Sequence, residues 1–344
     1  MAVAHEYKVR EIAVQAGLSK ATVDRVLHRR SGVRADTVRL VEQAIADLDR
    51  QRTQLRLGGR TFMVDVVVQA PARFSSAVRA ALEAELPSLA PAVVRSRFSF
   101  RESGPVTELV GVLERIGRRG THGVVLKAPD VPEVTAAVQR LGRAGIPVVT
   151  LVTDLPGSGR LAYVGMDNRA AGATAAYLVG QWLGDRPGNV LVAVSSSAFR
   201  GEEEREMGFR AAMRTAQPSR ALVEVTGSEG LDSAQRDLVL DALARDPDLS
   251  AVYSIGGGNL ATVDAFDAVG RRCALFIAHD LDEDNLRLLH AGRLSAVLHH
   301  DLGRDLRAAC RVIMQAQGAL PHRPPPWPST IQVVTPFNVP APPD

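Results

Sequence analysis

From residue 61 onward the chain alternates short, nearly uninterrupted apolar runs with amphipathic stretches, and this rhythm restricts the fold more than any other feature. The runs MVDVVV, AVVRSRFSF, GVVLKA and PVVTLV are separated by segments of helical spacing that start near Ser75, Pro105 and Val131. After LAYVG and a helical pattern over 168–183, the series restarts with NVLVAV, ALVEVT, AVYSI and ALFIA. Continuously apolar strands are buried on both faces, as in parallel sheets covered by helices on each side. Two such series predict an α/β protein with two doubly wound parallel-sheet lobes, whose ligands sit beyond the carboxyl ends of the strands. Binding residues are therefore sought in the loops after strands. Residues 320–328, LPHRPPPWP, suit neither helix nor central strand, because proline lacks a backbone donor. They read as a stiff connection before a last strand, TIQVVTPF, and the closing NVPAPPD reads as a tail.

The first fifty residues follow another period. Val9, Ile12, Ala13 and Ala16 stand at i, i+3, i+4 and i+7; Val23, Val26 and Leu27 form a second set; Val38, Val41, Ala44, Ile45 and Leu48 form a third. Each set gives a short helix one apolar face. Gly17-Leu18 suits a tight turn between the first two helices, and Ser19 is placed to cap the second. The unit has the size and order of a helix-turn-helix. Charge is concentrated here: residues 1–60 hold 12 Lys and Arg against 7 Asp and Glu, while the whole chain of 344 residues has 41 against 38.

In a helix-turn-helix the second helix lies in the major groove, its N-terminal residues at base edges. With Val23, Val26 and Leu27 turned inward, Lys20, Ala21, Asp24, Arg25 and His28 face outward. Lysine and arginine pair with guanine O6 and N7, and an alanine methyl meets the thymine methyl. Arg29, Arg30 and Arg34 suit phosphate contacts, which position without specifying. The plainer alternative is a solvated basic helix face.

Taken whole, residues 7–48, YKVREIAVQAGLSKATVDRVLHRRSGVRADTVRLVEQAIADL, resemble the headpiece of the lactose-repressor (LacI/GalR) family. Ile12-Ala13, Ala16-Gly17-Leu18-Ser19, Thr22-Val23, Arg25-Val26-Leu27, Val33, Thr37, Val41, Ala44-Ile45 and Leu48 fall on the family pattern. The resemblance implies that Lys20 and Ala21 read bases, that Arg25 is the arginine contact, and that Ser19 and Thr22 touch phosphate. It also implies a double-stranded operator as partner and a homodimer, or a tetramer built from it. Asp24, His28 and Arg50 depart from the serine, asparagine and tyrosine usual in the family. Asp24 would repel a phosphate, so it is expected to orient Arg25 or Lys20, or to accept from a cytosine amino group. The family's hinge helix wedges a leucine pair into the minor groove. Here RTQLRLGG offers Leu55 or Leu57, and Gly58-Gly59 disfavour continued helix by about 1 kcal/mol each relative to alanine.

The expected division is a helix-turn-helix domain over 1–50, a hinge or linker over 51–60, and an effector-binding and dimerisation region over 61–344. Its lobes are expected at 61–166 with 296–328, and at 167–295 with 329–340. This region resembles the family's effector domain, itself similar to periplasmic sugar-binding proteins, most clearly in YVGMDNRAAGATAAYLV, EREMGF and FIAHDLDEDN. The resemblance implies three crossings between lobes and a small polar effector in the cleft, a sugar, polyol or related metabolite. It places Arg205 and Asp280 on that effector, with Phe74 as the stacking ring and Gln69 before it, and suggests Asp154 and His299. Each has a structural alternative: pairing of Arg205 with Glu202, capping by Asp280 of the helix near Asp282, a core role for Phe74, a turn role for Asp154, and a satisfied buried imidazole for His299. Gly257-Gly258 stand where many members have Asn-Asp, which suggests room for a larger ligand or a backbone contact at Gly257, with Asn259 the nearest amide.

Other classes lack their signatures. There is no GxSxG, P-loop or HExxH, and SIGGGNLATVDAF does not have GxGxxG spacing, so neither enzyme nor cofactor is expected. Cys273 and Cys310 have no CxxC spacing, and adjacent residues of His299-His300-Asp301 on a strand point to opposite faces, so no metal is expected. The N-terminus lacks an apolar signal region and no run approaches the roughly 18 residues of a membrane span, which points to the cytoplasm. The competing reading is a solute-binding receptor of the periplasmic type without a primary DNA role. The favoured reading is a DNA-binding repressor whose operator affinity is set by an effector held between the lobes.

Overall fold

The computed structural model describes residues 7–324 and 326–340. Three helices come first: α1 (Val9–Ala16), α2 (Lys20–Leu27) and α3 (Ala35–Leu57). Gly17 ends α1 in the left-handed region at φ 66°, which costs glycine nothing and lets the chain reverse at once. The Ser19 hydroxyl then accepts from the Thr22 amide at 3.1 Å and starts α2. Ile12, Ala13, Val23, Val41, Ala44 and Ile45 close a small core, the residues named by the helical spacing.

α3 differs from expectation. Residues 51–57 continue the helix instead of forming a linker, because no glycine or proline interrupts the sequence before Gly58, and Asp47 pairs with Arg50 one turn on. The helix stops at Gly58-Gly59, the latter at φ 74°. Leu57, its last residue, is buried in the core of the first lobe. The headpiece is thus tied to that lobe by a helix end and two glycines.

The first lobe contains β1 (Thr61–Gln69), α4 (Ala72–Glu85), β2 (Val93–Arg101), α5 (Val106–Arg119), β3 (Gly123–Lys127), α6 (Pro132–Arg143), β4 (Val148–Leu151) and β5 (Ala162–Val164). The second begins with α7 (Asn168–Leu183), β6 (Asn189–Val194), α8 (Arg200–Ala216), β7 (Leu222–Thr226) and α9 (Asp232–Arg245). It continues with β8 (Leu249–Ser254), α10 (Asn259–Ala268), β9 (Leu275–His279), α11 (Glu283–His290) and β10 (Ala296–His299). α12 (Leu302–Ala316) returns to the first lobe, and β11 (Gln332–Val334) closes the second sheet. Strand orders are β2-β1-β3-β4-β5, all parallel, and β11-β10-β9-β8-β6-β7, in which only β11 runs antiparallel. Each sheet separates two apolar clusters, so the continuous strand hydrophobicity reports burial on both faces.

The expected assignment of 296–299 to the first lobe is corrected. Ala296–Leu298 pair with Ile277–His279 in the second sheet, and the chain crosses only after His299. Three crossings lie together at about 165–167, 300–301 and 329–331, joined by the Met166–Ser329 bridge. There the buried His300 Nδ1 meets Asp305 Oδ2 at 2.6 Å, and the Ser329 hydroxyl donates to the other oxygen of Asp305. Both sheets therefore turn their carboxyl ends toward the same gap.

Candidate functional site: a basic helix face and an interlobe cleft

On the headpiece, Lys20, Ala21 and Arg25 are exposed along α2, with Ser19 at its start and Thr22 half-buried behind. The hydroxyls of Ser19 and Thr22 lie 2.8 Å apart. Arg29, Arg30 and Arg34 surround this face and are exposed. The Asp24 carboxylate is 3.1 Å from His28 Nδ1 and 3.2 Å from Arg30 Nη1, so it orients those two groups and not Arg25 or Lys20. This pairing also answers the repulsion argument, since the carboxylate is partly neutralised before any phosphate approaches. Leu55 is 83 % exposed, whereas Leu57 is 6 % exposed; of the two leucines only Leu55 is available to DNA.

The second region is a cavity of about 190 Å³ between the lobes. Its wall comes from loops after β1, β3, β6, β8 and β9, where a doubly wound sheet presents ligands. Gln69, Phe74, Arg205, Gly257 and Asp280 line it. Asp154, Asn259 and His299 do not. Asp154 forms a two-oxygen ion pair with Arg160 across its turn and accepts from Thr150 at 2.8 Å, contacts that hold the carboxyl below its usual range. Asn259 is buried and donates to Asn285 at 2.7 Å. His299 Nδ1 faces the Leu281 amide at 3.3 Å, and burial lowers its basicity.

Arg205 is 3 % exposed at the inner end of the cleft. Nε donates to Asn168 Oδ1 at 2.8 Å and Nη1 to the Ile255 carbonyl at 3.3 Å, while Nη2 has no partner among the described residues. The Glu202 pairing is not made: that carboxylate accepts instead from the Ser195 amide at 2.8 Å and the Ser195 hydroxyl at 2.6 Å. Asp280 does not cap α11. Asp282 does, accepting from the Asn285 amide at 2.8 Å, and Asp280 is held at φ 63° facing the cavity. A left-handed conformation at a non-glycine residue is strained, and it is tolerated where surrounding contacts impose it. Gln69 Oε1 and His279 Nδ1 are likewise buried, lack partners among the described residues and belong to lining residues. Burial and the neighbouring Arg205 keep His279 neutral. Its Nε2 lies 2.8 Å from the Tyr253 hydroxyl, whose own ionisation burial suppresses.

Sequence reasoning missed three further groups. Lys127 ends β3 and places its ammonium 5.4 Å from the Phe74 ring centre and 4.2 Å from that of Phe199. It donates to the Gln69 carbonyl at 3.2 Å. Loss of water lowers its pKa to about 8, against the pull of Glu202 and Asp280. Arg73, next to Phe74, spans the cleft: Nε lies 3.2 Å from Asp282 and Nη2 donates to the Gly230 carbonyl at 2.9 Å. Burial pushes Asp282 up to about 6, opposed by the Asn285 amide and Arg73. Gly257, at φ 95°, adjoins this guanidinium, and a Cβ there would overlap Arg73. The space left by the missing Asn-Asp pair is therefore filled by Arg73 and, behind Gly258, by Gln235, not left for a larger ligand. The Asp130 amide donates to the Ala198 carbonyl at 2.7 Å and the Gly201 amide to Thr153 at 2.9 Å, so the lobes touch across the cleft.

A family model described as periplasmic binding protein domain matches residues 66–319, and one described as bacterial regulatory proteins, lacI family, matches residues 8–51. The HTH-type transcriptional regulator reg1 of Streptomyces lividans is 26 % identical over 308 residues, covering 87 % of this chain and 78 % of that protein. Among solved structures, the glucose-galactose binding protein GanP of Geobacillus stearothermophilus superposes with a TM-score of 0.72 at 18 % identity, covering 82 % of this chain and 100 % of that one. An ABC transporter solute-binding protein of Burkholderia graminis, in complex with D-arabinose, gives 0.71 at 21 % identity over 81 % of this chain and 96 % of that one. At these identities the structural matches establish the fold. Among the described residues, no helix is long and apolar enough to cross a membrane.

Proposed function

The chain belongs to the periplasmic binding protein domain family and carries a lacI-family helix-turn-helix at its N-terminus, and from this premise we propose that it is a repressor whose operator affinity is set by a sugar or polyol in the interlobe cleft. The observation that carries the effector half is the set of buried polar atoms that lack partners among the described residues and belong to residues around one cavity: Arg205 Nη2, Gln69 Oε1 and His279 Nδ1, beside the Asp280 carboxylate. Buried polar groups are rarely left unpaired, and a ligand bearing several hydroxyls supplies donors and acceptors to all four at once. Phe74 offers the apolar face that a sugar ring needs.

Lys20, Ala21 and Arg25 read bases, Ser19, Thr22, Arg29, Arg30 and Arg34 hold phosphates, and His28, oriented by Asp24, stands beside them. Leu55 is the group that enters the minor groove. Two copies of the chain present two such helices to a two-fold symmetric site. Effector bound between Arg205 and Asp280 changes how the lobes close about the three crossings. The first lobe carries that change to the headpiece through Leu57 and α3, shifting the population of DNA-competent dimers. The account is tested by fluorescence anisotropy of a labelled operator duplex with the full chain, titrated with monosaccharides and polyols. At least one sugar releases the duplex saturably in the wild type, and Arg205→Ala needs roughly 10- to 100-fold more of it. Release by no member of the panel would overturn the effector assignment.

A further inference from the structure

A second cavity, of about 810 Å³, lies away from the cleft, where the C-terminal half of α3 leans over the first lobe. Five arginines reach it, Arg50, Arg52 and Arg56 from α3, Arg311 from α12 and Arg323 just beyond, against one carboxylate, Asp49. That carboxylate is already engaged by the Tyr7 hydroxyl at 2.7 Å, and Arg50 is paired with Asp47. Arg56, Arg311 and Arg323 are exposed and have no ion-pair partner among the described residues. The floor is apolar where Leu57 and Met314 are buried.

Like charges gathered around one cavity raise its potential and draw anions into it. Guanidinium forks match phosphate oxygens two at a time, which a lone ammonium does not do. We propose that this groove is a second ligand site, for a small metabolite carrying two or more phosphoryl groups. Its phosphates rest on Arg56, Arg311 and Arg323, and its remaining part lies on the apolar floor. The walls come from two parts of the molecule, the headpiece helix and the first lobe, so an anion held between them pins α3 to the lobe. By linkage such a ligand changes operator affinity, and operator changes the affinity for the ligand by the same factor. The site shares no lining residue with the effector cleft, so each can be removed without the other.

The test is isothermal titration of the full chain, without DNA, with inorganic tripolyphosphate at fixed ionic strength. The expected result is saturable binding that weakens at least tenfold in the Arg311→Ala/Arg323→Ala variant and by a similar factor in Arg56→Ala, which removes the opposite wall. Asp280→Asn leaves it unchanged. All the groove arginines substituted are exposed, and unaltered melting temperatures verify the folds. Equal affinity in wild type and variants, or heats that never saturate, would overturn the proposal. So would a pattern in which the substitutions weaken only binding to duplex DNA, which would make the groove a contact to the nucleic-acid backbone.

Discussion

Arg205→Ala separates the two halves of the mechanism. Nη2 is the one nitrogen of this guanidinium without a partner among the described residues, on a side chain 3 % exposed. A hydrogen bond from a charged donor contributes about 1.5–3 kcal/mol, so loss of the bond to effector raises its Kd by roughly 10- to 100-fold. The substitution also removes the bonds to Asn168 at 2.8 Å and to the Ile255 carbonyl at 3.3 Å. Leaving those acceptors unpaired costs about 1–3 kcal/mol of stability, and removal of a desolvated charge offsets part of it. The assay pairs calorimetric sugar binding with operator anisotropy on the same preparation. The expected outcome is a weakened sugar response, a melting temperature lower by a few degrees, and unchanged operator affinity without effector. Undiminished sugar binding would refute the role of Nη2, and a matching loss of operator binding in a folded variant would refute the separation of sites.

Three other outcomes follow from the geometry. The Lys127 amine loses its proton near pH 8 in the folded chain, against 10.5 as the ordinary value, so at this amine the unfolded chain binds more protons between those limits and the contribution of Lys127 to stability rises with pH across that window. Chemical denaturation of wild type and Lys127→Met from pH 7 to 10.5 reads this contribution as the difference between the two slopes, since the Cys273 and Cys310 thiols, pushed up by burial, act alike in both proteins; identical slopes would contradict it. Gly257→Ala combines a φ of 95° with overlap onto Arg73, so it loosens the Arg73–Asp282 contact. It should cost about 1–3 kcal/mol and weaken sugar binding more than operator binding, as read by melting and titration. Operator affinity should fall steeply with salt, with a log–log slope of several units from phosphate contacts of the basic side chains around α2; a flat salt dependence of the anisotropy midpoint would contradict that assignment.

What was legible in the sequence was local. Gly17 and Ser19 make and cap a turn from their own chemistry, and Ile12, Val23, Val41 and Ile45 meet because helical spacing puts them on facing stripes. The two sheets show in strands too apolar for a solvated face. What escaped depended on partners distant in the chain, or on the absence of a breaker. Residues 51–57 are polar enough to read as linker, yet nothing stops the helix before Gly58, and Leu57 finds its burial in a lobe the sequence does not place beside it. Asp154 sits at a strand end like a ligand acid, but Arg160, six residues on, occupies it. The glycines at 257 and 258 read as open space because Arg73 and Gln235 arrive from other elements. Lys127 carried a readable signal, a lysine ending the otherwise apolar GVVLK at the carboxyl end of a strand. The strand at 296–299 was recognisable as a strand, whereas its sheet is decided by pairing with Ile277–His279.

The central claim joins one helix face to one cleft through a shared equilibrium, and one measurement tests it directly. Duplexes selected from a random pool by the full chain are labelled, and their dissociation is followed as monosaccharides and polyols are added to wild type and to Arg205→Ala. The account predicts a two-fold symmetric selected sequence, saturable release from the wild type by at least one sugar, and release from Arg205→Ala only at roughly 10- to 100-fold higher sugar concentration. Selection of no symmetric sequence, or release at the same concentration from both proteins, would contradict it.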